Sequence, residues 1–158
     1  MVRMLVTYYS RSGHTKQMAE EVAKAAREAG AEVDLDRVDQ VDVGKFVEYD
    51  CLVAGSPTYY GNMASEVKAM FDESVKVHNK LSGRLGGAFA SSGMRAGGNE
   101  TTVTAILMCW LVHGMLVSGS ADSDHYGPVA VGAPDEQAIK ACHEYGRRLV
   151  GQAKLLRG

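Results

Sequence analysis

The chain has 158 residues, 46% of them hydrophobic and 23% charged, with a formal net charge of −2, a balance typical of one globular domain. The small net charge and the lack of a basic block argue against a nucleic-acid-binding protein. No apolar run approaches the roughly 18 to 20 residues of a membrane span, and the N-terminus lacks a signal-peptide pattern, so we expect a cytoplasmic protein.

Short apolar runs and stretches of helical periodicity alternate from end to end. Residues 2–8 are almost continuously apolar, as in a strand buried on both faces, whereas Met18, Val22 and Ala25 recur at helical spacing. In chain order we predict strand 2–8, helix 14–29, strand 31–38, strand 50–56, helix 62–77, strand 84–91, helix 99–113 capped by Asn99, strand 115–119 and helix 134–156.

Five strands that alternate with helices imply parallel pairing and right-handed crossovers. The sequence therefore predicts an α/β fold in which a doubly wound, five-stranded parallel sheet lies between two layers of helices. Such sheets bind ligands beyond the carboxyl ends of their strands. The loops at that edge are residues 9–15, 55–62, 91–98 and 119–130.

The cysteines do not indicate a disulfide framework or a metal site. Cys51, Cys109 and Cys142 are odd in number and far apart, and mostly lie within apolar stretches. Both kinds of site need closer or more regular spacing. We expect free, buried thiols and no metal.

The first of these loops carries three hydroxyl side chains and a glycine immediately before a helix. Ser10, Ser12 and Thr15 can donate to an anion, Gly13 permits a tight turn, and a helix N-terminus offers unpaired N–H groups. The loop lacks the lysine of a Walker A motif and the G-x-G-x-x-G pattern of dinucleotide-binding folds. It is either a site for a single phosphate or an ordinary serine-capped turn.

The second and third loops favour a flat ligand. Residues 55–63, GSPTYYGNM, place a proline and two tyrosines after a buried strand, and residues 91–99, SSGMRAGGN, offer backbone N–H groups with little side-chain bulk. One phosphate and one flat ring point to FMN. The alternative for Tyr59 and Tyr60 is two surface tyrosines on a loop.

These motifs, in this order, carry a resemblance to a known family. Together, S-x-S-G-x-T (10–15), P-T-x-x-G-N-M (57–63) and S-S-G-M-R-A-G-G (91–98) resemble the Trp-repressor-binding-protein (WrbA-type) family of flavodoxin-like NAD(P)H:quinone oxidoreductases. The resemblance covers roughly residues 3–132. Carried over to this chain, the family's cofactor contacts fall on Ser10, Arg11, Ser12, Gly13, His14, Thr15, Pro57, Thr58, Tyr59, Tyr60, Gly61, Asn62, Ser91, Ser92, Gly93, Met94, Arg95, Ala96, Gly97 and Gly98.

The resemblance also implies an activity. The family would use bound FMN to pass two electrons from NAD(P)H, as co-substrate, to a quinone, and its histidine close to the flavin matches His113. Because the ring edge of such small flavin domains is exposed, we also expect a homo-oligomer, a dimer or a tetramer. Arg11 and Arg95 either meet the phosphates of the nicotinamide nucleotide or are solvated surface residues.

The chain differs from the family in length, and two alternative functions stay open. Family members carry extra residues after strand two and after strand five, and this chain is too short to hold both insertions. A flavodoxin-type one-electron carrier would share the fold, but such carriers tend to be acidic around the ring. A flavin-binding redox module without turnover is the other alternative.

Overall fold

Seven strands and four α-helices make up the chain, which a computed structural model describes over residues 1–158. The strands are β1 (Val2–Tyr8), β2 (Ala31–Arg37), β3 (Cys51–Tyr59), β4 (Asn62–Met63), β5 (Leu85–Ser92), β6 (Leu116–Val117) and β7 (Val129–Val131). The α-helices are α1 (His14–Glu28), α2 (Ser65–Glu73), α3 (Asn99–Val112) and α4 (Glu136–Arg157), and short 3-10 helices span Val43–Glu48 and Ser74–Val77.

The main sheet is parallel and has the strand order β2-β1-β3-β5-β6. The order reverses at β1, because β2 lies on one side of it while β3 and the later strands lie on the other. This confirms the predicted doubly wound, five-position parallel sheet. The carboxyl ends of β1, β3 and β5 therefore meet at one edge.

The fifth position of the sheet is shared by two short strands. β6 pairs with Leu85 and Gly86 at the start of β5, and β7 pairs with residues 90–92 at its end. The predicted strand 115–119 is thus shorter than expected, and the sequence reading missed β7 altogether. Residues 118–128 leave the sheet between the two halves and return to it.

Helices cover both faces of the sheet and define two cores. On one face, α1 and α4 bury Met18, Val22, Cys142 and Leu149 against the strands. On the other, α2, α3 and the 3-10 helices bury Phe46, Phe71 and Trp110, among others. The apolar character of β1 follows from its contact with both layers.

One predicted helix start and one predicted cap residue are wrong. The segment predicted as helix 62–77 begins as a β-hairpin, in which Thr58 and Tyr59 pair antiparallel with β4, and α2 starts only at Ser65. Asn99 does not cap α3: the cap residue is Gly98, and the Asn99 amide donates to Ser92 Oγ at 3.0 Å.

All three cysteines are free, as predicted, and Cys51 and Cys142 are buried while Cys109 is half-buried. Burial raises the pKa of Cys142 to about 12, so this thiol stays protonated and acts as a small core side chain. None of the helices combines the length and the apolar character that crossing a membrane demands.

Candidate functional site

A cleft of about 680 Å³ opens at the carboxyl edge of the sheet, where the loops after β1, β3 and β5 converge. Its lining residues belong to these three loops and to the end of β7: Arg11, Ser12, His14, Thr15, Pro57, Thr58, Tyr59, Ser91, Ser92, Gly93 and Gly132. The structure thus brings together ten of the residues predicted from the sequence, and adds Gly132.

The loop after β1 leads into α1 with its backbone N–H groups unpaired. Gly13 is the cap residue with φ +97°, and the first N–H that bonds within the helix is that of Gln17, to Gly13 O at 3.0 Å. The N–H groups of the first turn of α1 therefore have no acceptor in the helix. The N–H of Gly13 donates to Ser10 Oγ at 3.1 Å, so Ser10 closes the turn and no side chain caps the helix.

Arg37, at the end of β2, supports this loop from behind. Its guanidinium donates to Ser10 O at 3.4 Å and lies 5.7 Å from the centre of the Tyr9 ring. The C=O and N–H groups of a trans peptide point in opposite directions. Because Ser10 O points towards Arg37, the N–H of Arg11 points away from it. Nothing in the sequence pattern indicated Arg37 as part of the site.

Thr15 and Ser91 join the first and third loops beneath the cleft. Their hydroxyl oxygens lie 2.9 Å apart, and both side chains are buried. The hydroxyl of Thr15, which was predicted to face a ligand, lines the cleft and also bonds to Ser91. This bond fixes α1 relative to the end of β5.

The hairpin formed by β3 and β4 provides the second wall of the cleft. Tyr59 lines the cleft, whereas Tyr60 at the turn has φ +50° and a side chain fully exposed to solvent. Gly61 follows with φ +74°, and positive φ at both turn residues is typical of two-residue hairpins. Tyr60, Gly61 and Asn62 lie outside the cleft, and Asn62 instead lines an apolar groove along α3.

The third loop divides between two depressions. Ser91 to Gly93 line the cleft, while Arg95, Ala96 and Gly98 line an adjacent depression of about 470 Å³. Met94 is exposed, and Gly97 donates its N–H to Met94 O at 3.2 Å within the loop. The residues from 94 to 98 predicted to contact a ligand thus stand beside the cleft rather than in it.

Arg11 is the one charged side chain that lines the cleft, since its wall contains no lysine, aspartate or glutamate. This lining favours an anionic ligand over a cationic one.

The structure does not bring His113 to the cleft. α3 starts beside the cleft and runs for 14 residues before His113, which places the histidine about 20 Å along the helix at 1.5 Å per residue. His113 is buried at the ends of the strands opposite to the cleft, and its Nε2 lies 2.7 Å from Ser74 Oγ. Contrary to the prediction, His113 therefore does not contact a ligand in this chain's own cleft. Its role is structural.

Burial, and the nearby His78, lower the pKa of His113. Ser74 donates its hydroxyl to Phe71 O at 2.6 Å, so His113 Nε2 must carry the proton that Ser74 Oγ accepts. Nδ1 is then an acceptor without a partner. His113 is a neutral imidazole in the folded chain.

Comparisons with known proteins agree on one family. The model of the flavodoxin domain matches residues 5–108. A flavodoxin of Aquifex aeolicus is 39% identical over 94% of this chain and 85% of its own length. An NAD(P)H dehydrogenase (quinone) of Chromohalobacter salexigens is 40% identical over 75% of this chain and 71% of its own length.

A solved structure supports the fold. The crystal structure of a flavodoxin, WrbA-like protein from Agrobacterium tumefaciens superimposes with a TM-score of 0.84, over 98% of this chain and 99% of that one, at 24% identity. Similarity at that level of identity concerns the fold, and the strand order of the present sheet agrees with it.

Proposed function

The chain belongs to the flavodoxin family, and we propose that it is an FMN-dependent oxidoreductase that passes two electrons from NAD(P)H to a quinone. The observation that carries this proposal is the cleft itself, where three loops meet and the charged lining is basic. Relatives named NAD(P)H dehydrogenase (quinone) support the reaction class.

The residues of the cleft fit a flavin mononucleotide. Its volume of about 680 Å³ falls in the range of about 300 to 1,000 Å³ typical of small-molecule sites. The unpaired N–H groups at the start of α1, with Ser12 and Arg11, suit one phosphate. The lining also contains Tyr59 and the small residues Ser92 and Gly93, which suit a flat ring.

When bound, FMN would supply the two-electron redox chemistry between a nicotinamide nucleotide and a quinone. The protein's part is to bind and orient. The first turn of α1 would hold the phosphate, and the buried pair Thr15 and Ser91 fixes that turn relative to β5. N–H groups of the second and third loops would stabilise negative charge at the ring.

Arg11 gives the site a preference for anionic co-substrates. It is exposed at the rim of the cleft, without a carboxylate partner in any ion pair of the structure. A guanidinium in that position can meet a phosphate of NADH or NADPH.

Steady-state turnover tests the reaction. The FMN-loaded protein is mixed with NADPH or NADH and p-benzoquinone, and the loss of nicotinamide absorbance is followed, with the flavin-free protein as control. Quinone-dependent oxidation that requires FMN supports the proposal. Loaded protein that leaves both nucleotides unoxidised contradicts it.

A flavodoxin-type electron carrier is the second candidate, because the Aquifex aeolicus relative, which matches over most of its length, is a flavodoxin. The basic lining of the cleft favours the enzyme, since carriers of this fold tend to be acidic around the ring. EPR of the FMN-loaded protein, after reduction by one electron per flavin, distinguishes the carrier from the enzyme. A long-lived radical signal with no nicotinamide oxidation supports the carrier.

We also propose that the chain forms a homo-oligomer through the outer face of α3. The inner face of this helix buries Val103, Ile106 and Trp110, yet its outer face exposes Met108, Leu111 and Val112. A helix that is apolar all round is normally buried on all sides. A second copy of the chain would cover this face.

The free thiols of Cys51 and Cys142 suit a reducing compartment such as the cytoplasm.

A further inference from the structure

A buried threonine in the first turn of α3 links the second and third loops. Thr102 is fully buried, and its Oγ1 lies 3.1 Å from Thr58 Oγ1, in the wall of the cleft, and 2.9 Å from Gly98 O. A buried hydroxyl needs hydrogen-bond partners. Thr102 finds one in each of the two loops that face the ring side of the cleft.

The neighbouring residue extends the same link to the tip of the hairpin. Thr101 Oγ1 donates to Gly61 O at 2.7 Å. Gly98 and Gly61 are packed so closely that a Cβ on Gly98 would stand 2.7 Å from Gly61 Cα. The hairpin therefore rests directly on the start of α3, with no room for a side chain between them.

The hairpin needs this support, because its own pairing is short. β4 contributes only Asn62 and Met63 to the ladder with β3. Two-stranded hairpins are marginally stable in water even when longer. Pro57 is the last residue of β3 that pairs with β5, so beyond it contacts with α3 help to fix Thr58 and Tyr59 before any ligand binds.

We propose that Thr102, assisted by Thr101, is a positioning residue that preforms the ring side of the cleft. This inference rests on the proposed function, because it takes a flavin as the ligand. Preorganised walls improve affinity by removing the cost of ordering them on binding. The link acts on the loops beside the ring and leaves the phosphate turn of α1 untouched.

Two ligands separate the two halves of the site. FMN and riboflavin share the ring, but riboflavin lacks the phosphate. Thr102→Val keeps the side-chain shape and removes the hydroxyl. It should therefore raise the dissociation constants of FMN and riboflavin by the same factor, about fivefold to tenfold for one lost hydrogen bond. Ser12→Ala, in the phosphate turn, should weaken FMN alone.

Matched variants control for a general effect on α3. Thr102→Ser restores the hydroxyl and should return both dissociation constants to within about twofold of the wild type. Thr104→Val makes the same substitution two residues away, where the hydroxyl contacts only Glu100 O and Thr101 O of its own helix. We expect Thr104→Val to bind both flavins like the wild type.

A double-mutant cycle tests whether Thr102 acts through Thr58. In a Thr58→Val background, Thr102→Val should cause little further loss, because the shared contact is already broken. If Thr102→Val lowers stability too far for binding to be measured, Thr101→Val is the second variant, because it removes the exposed hydroxyl that donates to Gly61 O and to Gly98 O. It should also weaken both flavins equally.

The binding constants, measured by quenching of flavin fluorescence, decide the matter. Equal losses for FMN and riboflavin, rescued by serine, support the inference. Wild-type affinity in both Thr102→Val and Thr101→Val, or a loss confined to FMN, overturns it. Wild-type protein that binds neither flavin contradicts the proposed function instead.

Discussion

Trp110 and Tyr145 hold the same peptide group of β5 from opposite faces of the sheet. Trp110 Nε1 donates to Gly87 O at 2.9 Å from the α3 side, and the N–H of Ala88 donates to Tyr145 Oη at 2.9 Å from the α4 side. The glycines of β5 make room for both rings: a Cβ on Gly86 would stand 2.8 Å from Trp110, and one on Gly87 2.7 Å from Tyr145 Oη. These two hydrogen bonds fix β5, which carries Ser91 and Ser92 to the cleft, in the stretch between its pairing with β6 and its pairing with β7.

Replacing Tyr145 by phenylalanine should destabilise the protein. Ala88 lies between the residues that pair with β6 and those that pair with β7, so its N–H would lose its partner in a buried place. An unsatisfied buried donor costs about 1 to 3 kcal/mol in the free energy of unfolding. Urea denaturation measures this, with the exposed Tyr126→Phe as control. Equal midpoints for the two variants would contradict the role given to Tyr145.

Two glycine-to-alanine substitutions should change stability in opposite directions. Gly13 has φ +97° and Gly151 lies in the interior of α4, and a Cβ meets nothing within 4 Å at either position. Alanine at 13 must adopt a left-handed conformation that costs about 1 to 2 kcal/mol. Alanine at 151 should gain about 0.5 to 1 kcal/mol from helix propensity. Thermal or urea unfolding of both variants checks the sign, and a stabilised Gly13→Ala would show that the turn is not held as described.

The buried His113 should make the protein less stable in acid. Its pKa is lowered in the folded chain by burial and by His78, so below its ordinary value of about 6.5 the unfolded chain binds a proton that the folded chain resists. The free energy of unfolding should therefore fall as the pH drops from about 6.5 through the lowered folded pKa, and stay level above it. His113→Gln can still donate to Ser74 Oγ but cannot titrate. Unfolding of this variant should lose that part of the pH dependence, while the exposed His125→Gln keeps it.

A charge on the outer face of α3 should disrupt the oligomer. Leu111 is half-exposed beside Met108 and Val112 on that face, so Leu111→Lys would place an ammonium group in an apolar contact. Light scattering coupled to gel filtration should report a multiple of 16.9 kDa for the wild type and the monomer mass for the variant. The matched control is Leu155→Lys near the end of α4, where the side chain is also exposed. A wild-type monomer would overturn the proposed interface.

Continuous apolar strands and turn chemistry made the sheet and the turn before α1 predictable. The runs at 2–8 and 50–56 indicated buried parallel strands, and Gly13 marked the turn. β7 is only three residues long and follows a polar loop, too short for a periodic signal. The hairpin at 58–63 was hidden because Met63 and Val67 also fit helical spacing.

The site residues that sequence reasoning missed act through tertiary contacts. Arg37, Thr101 and Thr102 are ordinary polar residues in a strand end and a helix, and their partners lie far away in the sequence. For His113 a signal did exist. A crossover helix runs antiparallel to the strands, so a residue at the end of a helix that starts at the cleft must lie at the other edge of the sheet.

The central claim is that the cleft binds FMN and exchanges electrons with NAD(P)H and a quinone. Its most direct test is the anaerobic visible spectrum of the FMN-loaded protein, recorded before and after one equivalent of NADPH or NADH and again after p-benzoquinone. We predict flavin bands that stay with the protein, bleach with a nicotinamide nucleotide and return with the quinone. Protein that retains no flavin after removal of the excess, or bound flavin that neither nucleotide bleaches, would contradict the account.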